Sequence, residues 1–381
     1  MVRWRAGVVA EVRRRWRGAV ELSVTVDGVA TRALAYPELV GEPEPGDRVL
    51  LNVNAQLMGL GTGGYALVVA LPDRLPPDPP GAGTDRDSGH VVKARYTPLQ
   101  AIVRGVEEPS SPHHAAIAAA DTLAGMPVVT ADLHSALPAI VAGIHADRPT
   151  ARIAYVMTDG GALPAWFSRT LDGLRDRLVG TVTVGQAFGG DLEAVTTHSG
   201  LLAARYALGA DVAVVAQGPG NLGAGLPWAF SGVAVGEAVN AAGTLGGQAV
   251  GALRISAADA RERHQGISHH SLTAYGRVAL VPCDLPLPDG LDAPLAARVE
   301  AQIADLSVRH RIIRVPSDGL DAALRASPVP LSTMGRGLDA DHGYFLTAAA
   351  AGRHAAALAL AGQALAGQED EQEPGGHQRD Q

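Results

Sequence analysis

Two stretches of the chain concentrate residue types that can do chemistry. The first is Asp259-Ala-Arg-Glu-Arg-His-Gln-Gly-Ile-Ser-His-His270. Here Arg261 and Arg263 offer the planar, bidentate donors that recognise phosphate or carboxylate. His264, His269 and His270 can move protons or ligate a metal. His264 and His269 do not have the four-residue spacing with an intervening Glu that a helical two-histidine zinc motif requires. A solvated charged loop is the competing structural reading. The second stretch, residues 151–220, repeats one design three times: a short apolar run, then a glycine-rich loop. The loops begin at Asp159-Gly160, run through Gly185 to Gly189-Gly190-Asp191, and close with Gln217-Gly218-Pro-Gly220-Asn221. Glycine brings backbone N–H groups close to a ligand, and a helix N-terminus adds partial positive charge. Gly160, Gly189, Gly190, Gly218, Gly220 and Asn221 are therefore expected to face an anion. Taken singly, each loop reads as a tight turn and each acid as a helix N-cap. If Asp159 and Asp191 share one cleft, they can act as acid and base or hold a divalent cation.

Those loops need a scaffold that collects them. Ile- and Val-rich runs of four to eight residues, alternating with helices, imply parallel strands buried on both faces, and ligands gather beyond the carboxyl ends of such strands. The expected fold is a mostly parallel, Rossmann-like α/β sheet with helices on both faces, spanning 90–366. Ahead of it, residues 1–71 show five short β runs with turn signals at Asp27-Gly28 and Glu44-Pro-Gly-Asp47, the pattern of a small OB- or SH3-type barrel. Residues 72–89 read as a Pro/Gly-rich linker and 367–381 as a disordered polar tail. Within the α/β part, helices are expected after Asp191, from Ser111 as N-cap, from Asp292, from Ser317 and over 347–366. Arg277 to Val281 is expected as a strand.

Composition narrows the function classes. A net charge of −8 argues against sequence-independent nucleic-acid binding. The single cysteine, Cys283, excludes an internal disulfide framework and a multi-cysteine zinc site. Lys93 is the only lysine, so Schiff-base chemistry has one candidate. Neither a secretory leader nor a membrane helix is expected, which places the protein in the cytoplasm. No Gly-x-Ser-x-Gly elbow appears. For His113, His114, His134 and His198 the sequence favours exposed or structural roles.

Several strings point the same way together: Tyr96-Thr-Pro-Leu-Gln100, Ser111-Pro-His-His114, Met157-Thr-Asp-Gly160, Ala187-Phe-Gly-Gly-Asp-Leu-Glu-Ala194 and Arg261 to His270. With Leu60 to Tyr65, the chain from its first strand to about residue 360 resembles an uncharacterised bacterial family, domain of unknown function 3866. The resemblance carries over no activity and no site residue. On the residues alone, the reading is an enzyme acting on a small anionic or phosphorylated metabolite, with a divalent cation as its conceivable cofactor. The alternative is a non-catalytic ligand sensor or scaffold using the barrel as its interaction module. Assembly as a homo-oligomer is compatible with the sequence.

Overall fold

The computed structural model describes residues 1–59, 63–78 and 89–372, the last eight of these by backbone only. Parts of the 59–64 glycine loop, the linker and the tail thus lie outside the described residues. The chain opens with β1 (Trp4–Trp16), β2 (Ala19–Val26), β3 (Val29–Ala35), β4 (Arg48–Asn52) and β5 (Ala66–Ala70). They close as a barrel in the order β1-β2-β3-β5-β4, with β3 and β5 parallel, which is the OB-type arrangement of the two expected. Asp27 and Gly28 both take positive φ, 50° and 79°, as a two-residue hairpin turn matched to strand twist requires. Leu22, Val24, Val49 and Leu51 fill the interior.

The second part is an eight-stranded sheet in which every pairing is parallel. Its strands are β6 (Pro127–Ala131), β7 (Ile153–Thr158), β8 (Gly180–Thr183), β9 (Leu192–Glu193), β10 (Val212–Gln217), β11 (Gln248–Ala252), β12 (Asp284–Pro288) and β13 (Arg311–Val315). The order across the sheet is β9-β8-β7-β10-β6-β11-β12-β13. One face is covered by helices α1 (Leu137–Asp147) and α4 (His342–Gln372). The other carries α2 (Ala234–Thr244) and α3 (Ala293–Ser307). Helix α3 follows the sequence reading closely: Asp292 Oδ1 accepts from Leu295 N at 2.9 Å, and Leu295, Val299, Ile303 and Leu306 are buried. Helices α1 and α4 approach so closely that a Cβ on Gly143 would collide with the Ala349 carbonyl. The adjacent strands β6 and β10 lead into α1 and α2, on opposite faces of the sheet. That reversal makes a topological switch point between their carboxyl ends, where open α/β sheets bind ligands.

Local readings differ at several places. Leu192 does not start a helix. The chain doubles back, Asp191 N donates to Thr181 O, and Leu192–Glu193 adds a parallel edge strand to β8; the next helix starts at Thr197 on a Thr196 cap. Arg277 lies in a helical turn, and the strand there is β12, whose Pro286 and Pro288 disguise a fully buried strand. Ser111 Oγ accepts from His113 N ahead of a helix at His114–Ala119, and Ser317 Oγ accepts from Gly290 N rather than capping Leu320–Arg325. The last helix begins at His342, five residues earlier than its alanine pattern suggests. The barrel is docked on the sheet: Trp16 Nε1 donates to Trp166 O at 2.7 Å, and Gly18 lies against the Trp166 ring. No helix among the described residues is long and apolar enough to cross a membrane.

Candidate functional site

The switch point carries the densest group of ligating side chains. Strand β11 ends at Ala252 and delivers Arg254. A short hairpin, Ile255–Ser256 with Gly266–Ile267, then folds the charged stretch back over the carboxyl edge. The returning arm leads into a short helix, His269–Thr273, capped by Ser268 Oγ on His270 N. This brings His264, His269 and His270 together with ring centroids 4.4 to 4.9 Å apart. One ring nitrogen from each lies within 4.8 Å of the others, and this is the one such grouping of potential metal ligands among the described residues. The Phe230 ring, from the loop after β10, stacks on His270 at 3.8 Å and nearly parallel. Asp132, immediately past the end of β6, places Oδ2 3.6 Å from His270 Nδ1.

Hydrogen bonding around the group is unequal. His264 Nδ1 meets Ser268 Oγ at 2.7 Å, which leaves Nε2 for other use. His269 Nε2, His270 Nδ1, Asp132 Oδ2 and Gln217 Oε1 are buried without any hydrogen-bond partner. Such an atom costs on the order of 1–3 kcal/mol in a folded protein. His270 Nδ1 and Asp132 Oδ2 have each other at 3.6 Å, but His269 Nε2 and Gln217 Oε1 have no such neighbour, which marks a place where something else belongs. Burial pulls His264 down to about 3 and His269 to about 4, with Arg254 and Arg261 reinforcing the fall at His264, and His270 and Arg263 at His269. Both imidazoles are neutral at pH 7 and have lone pairs to offer.

The arginines divide into two kinds. Arg254 and Arg261 both bind Asp259, at 3.1 and 2.8 Å, and Arg336 joins them from 3.4 Å. Asp259, so surrounded, is held far below the usual carboxylate range, with the Arg261 hydrogen bond the largest cause. Arg263 makes no ion pair or hydrogen bond among the described residues, and its guanidinium lies beside Gly225 in the loop after β10.

The glycine loops meet this site only in part. Gly160 packs against Gln217 Oε1, and the Gly218 backbone packs on Gly161 and Ala162. Asn221 Oδ1 accepts from Gln217 Nε2 at 3.0 Å and from Ser231 Oγ at 2.8 Å, and Gly220 takes φ 90°. These belong to the switch-point loops. Asp159 is exposed and accepts from Gln186 N at 2.8 Å. Asp191 is elsewhere: level with Thr181, the second residue of β8, it accepts from Thr181 N at 2.7 Å and from Arg17 Nη2 at 2.6 Å. Gly189 N donates to Glu193 Oε1 and Gly190 N to Thr183 Oγ1. Asp191 therefore does not share a cleft with Asp159 at the switch-point loops. The doubling-back at 185–191 returns it toward the amino half of its strand.

Asp132, Gln217, Phe230 and Arg254 escaped the sequence reading. The available signal for Asp132 was its position: the first acid after the apolar run that ends at Thr130, where a carboxyl-edge ligand residue would stand. For Phe230 the thirteen-residue gap between β10 and the next helical turn was the trace.

No curated protein and no solved structure matches the chain. A family model described as a protein of unknown function, DUF3866, matches residues 32–352, from within the barrel to the middle of the last helix. The match takes in the barrel's later strands, all eight strands of the parallel sheet and the histidine group, and the chain belongs to that family.

Proposed function

We propose that the protein is an enzyme that holds a divalent transition metal of the zinc class on His264, His269 and His270 and acts on a small anionic or phosphorylated metabolite at the switch point. The observation that carries this reading is the convergence of three histidines, each with a ring nitrogen within 4.8 Å of the others, in a buried setting where His269 Nε2 has no hydrogen-bond partner and His270 Nδ1 has only Asp132 Oδ2 at 3.6 Å. Three imidazoles with an open fourth position are a donor set that catalytic zinc uses, and imidazole suits Zn, Cu, Ni and Fe better than Mg or Ca. Ligation at about 2.0–2.1 Å from each nitrogen asks these side chains to close in by roughly 1 Å, a rotamer adjustment. The bound ion would supply a water of lowered pKa or polarise a substrate oxygen.

The protein's own groups fit the remaining tasks. Asp132, in contact distance of His270, balances charge and can accept a proton. Arg254 and Arg261 keep the local potential positive although Asp259 neutralises part of it. Arg263, with a guanidinium not engaged by any described residue, is the side chain free to clamp an anion bidentately. The three histidines take the place of Asp159 and Asp191 as the cation-binding candidates, since Asp191 accepts from Thr181 N and Arg17 Nη2, and Asp159 is an exposed carboxylate whose Oδ2 accepts from Gln186 N.

Thermal unfolding with Zn(II), Ni(II), Mg(II) and inorganic phosphate tests the reading. A ligand at about a hundred times its dissociation constant adds about 2.7 kcal/mol. Zn(II) or Ni(II) should raise the melting temperature by several degrees and Mg(II) should not. His269→Ala and His264→Ala should abolish the rise. Phosphate should add a further increment only with metal present, and Arg263→Ala should remove that increment. A zinc-induced rise that survives His269→Ala would overturn the assignment.

A further inference from the structure

A cavity of about 440 Å³ lies where the barrel meets the sheet, with Ser168 among the residues that line it. Ser168 sits at the N-cap of a short helix, Arg169–Gly173, where its Oγ accepts from Leu171 N at 3.1 Å. The same oxygen is 2.7 Å from His134 Nε2. His134 Nδ1 is 3.0 Å from the Tyr155 hydroxyl, which donates to the carbonyls of Ala216 and Gln217 at 3.0 and 2.9 Å. With its proton committed to those carbonyls, the Tyr155 oxygen accepts from His134 Nδ1–H. Nε2 is then the lone-pair nitrogen, and the Ser168 hydroxyl donates to it. Nucleophile, base and orienting group thus stand in line with the tautomer set from behind, the arrangement that activates a serine.

We infer that Ser168 is an acyl-accepting nucleophile with His134 as its general base, forming a second reactive site that opens into the barrel–sheet cleft and takes small neutral esters. The substrate class follows from the walls. Arg17 and Arg175 are matched by Asp172 and Asp191, so the rim carries no net charge, while Leu171 and Leu178 give an apolar surface for a short acyl chain. The volume is that of a small-molecule site. Burial pulls His134 down to about 4, which keeps its base form populated at neutral pH.

The chemistry balances without a co-reactant other than water. Ser168 Oγ bonds to the ester carbonyl carbon as its proton passes to His134 Nε2. The ester C–O bond breaks, and the departing alkoxide takes that proton and leaves as the alcohol. Water then attacks the acyl carbon, giving one proton to His134, which returns it to Ser168 Oγ as the carboxylic acid departs. The site is independent of the histidine group, and it is tested with chelator present so that the two stand or fall separately.

The experiment treats the full chain with a fluorophosphonate probe and with p-nitrophenyl acetate, followed by intact-mass measurement and peptide mapping. A single adduct on Ser168 is expected. Ser168→Gly, which keeps most of the helix-cap stability but takes the donor from His134 Nε2, should abolish it in a protein that still folds and unfolds cooperatively, with a melting temperature lowered by several degrees at most. His134→Gln should slow adduct formation at least a hundredfold, in the range general-base removal gives. Tyr155→Phe should lower kcat for p-nitrophenyl acetate and leave KM unchanged. A folded protein that gives no Ser168 adduct would show Ser168 to be only a helix cap, and an adduct rate unchanged by His134→Gln would remove the base; either overturns the inference.

Discussion

The loop from Gly185 to Glu193 and the stretch from Asp259 to His270 looked alike as sequence, each mixing flexible and ionisable residues after an apolar strand. In the folded chain they are opposites. The first is saturated. Asp191, Glu193 and Thr183 accept from Thr181, Gly189 and Gly190 backbone N–H groups, and the buried Lys93 donates to the Gly185 and Ala187 carbonyls at 2.9 Å while standing 3.3 Å from Glu193. The second is saturated around Asp259 and unsaturated around its histidines. Charge and glycine content do not distinguish a site from a structural knot; what distinguishes them is whether buried polar atoms are left over once the chain has folded. The contrast makes a sharp claim. Damage to the first region should lower stability and leave metal response intact, and damage to the second should do the reverse.

The largest effect is expected at Lys93. Its ammonium is fully buried, and its removal leaves Glu193 and two carbonyls without their donor. Lys93→Met should destabilise the protein by about 3–5 kcal/mol, the usual result of breaking one side of a buried pair, read from urea unfolding. The zinc-induced rise in melting temperature should remain in whatever fraction folds. A loss below about 1 kcal/mol would mean that the knot is not structural.

Much of this was legible beforehand. The alternation of apolar runs and helices gave the parallel sheet, because strands buried on both faces have no polar alternation to disguise them. The barrel was readable from its turns. The contact between Asp132 and His270 was not, because it joins residues 138 positions apart and depends on β6 and β11 being neighbours in the sheet. Nor was the fate of Asp191. One strand register decides whether an acid faces a cleft or its own backbone, and the edge pairing of Leu192–Glu193 has no periodic signature in two residues. Arg261 and Arg263 show the same limit at the finest scale: two arginines of equal promise, one consumed by Asp259 and one without an ion pair or hydrogen bond among the described residues.

A pH titration compares two buried imidazoles of different kinds. Both nitrogens of His134 are satisfied, whereas His269 has Nε2 without a partner. Burial lowers His134 from 6.5 to about 4. In the unfolded chain it takes up a proton as pH falls through about 6.5, and in the folded chain only near 4. Its contribution is therefore fully present above pH 6.5 and is lost on acidification toward pH 4, amounting to about 3 kcal/mol. Other buried histidines act with the same sign, so the measurement is a difference: urea unfolding in chelator for wild type and His134→Gln. The variant should be less stable at pH 7.5 and the gap should narrow by pH 4. A gap that stays constant across this range would show that His134 is not held neutral by the fold.

The smallest expected effect belongs to Asp191, and it decides most directly between the two regions. Asp191→Asn keeps an oxygen for Thr181 N and removes only the charge opposite Arg17, with the two side chains 33% and 48% exposed. Partly exposed pairs of this sort contribute about 0.2–1 kcal/mol. The barrel keeps its other attachments, Trp16 to Trp166 and Arg17 N to Asp172 Oδ1 at 3.2 Å. The melting temperature should accordingly fall by no more than a degree or two, and the zinc-induced rise should match wild type, since nothing in the histidine group touches Asp191. Were Asp191 the acid, base or cation ligand that its place in a glycine loop suggests, the same substitution would abolish the ligand response and leave stability nearly untouched. Differential scanning fluorimetry with and without Zn(II) on this single variant separates the two outcomes. If the zinc response disappears, the ligand site runs through the 185–191 loop, and the bonds counted here as saturating it must open when the ligand binds.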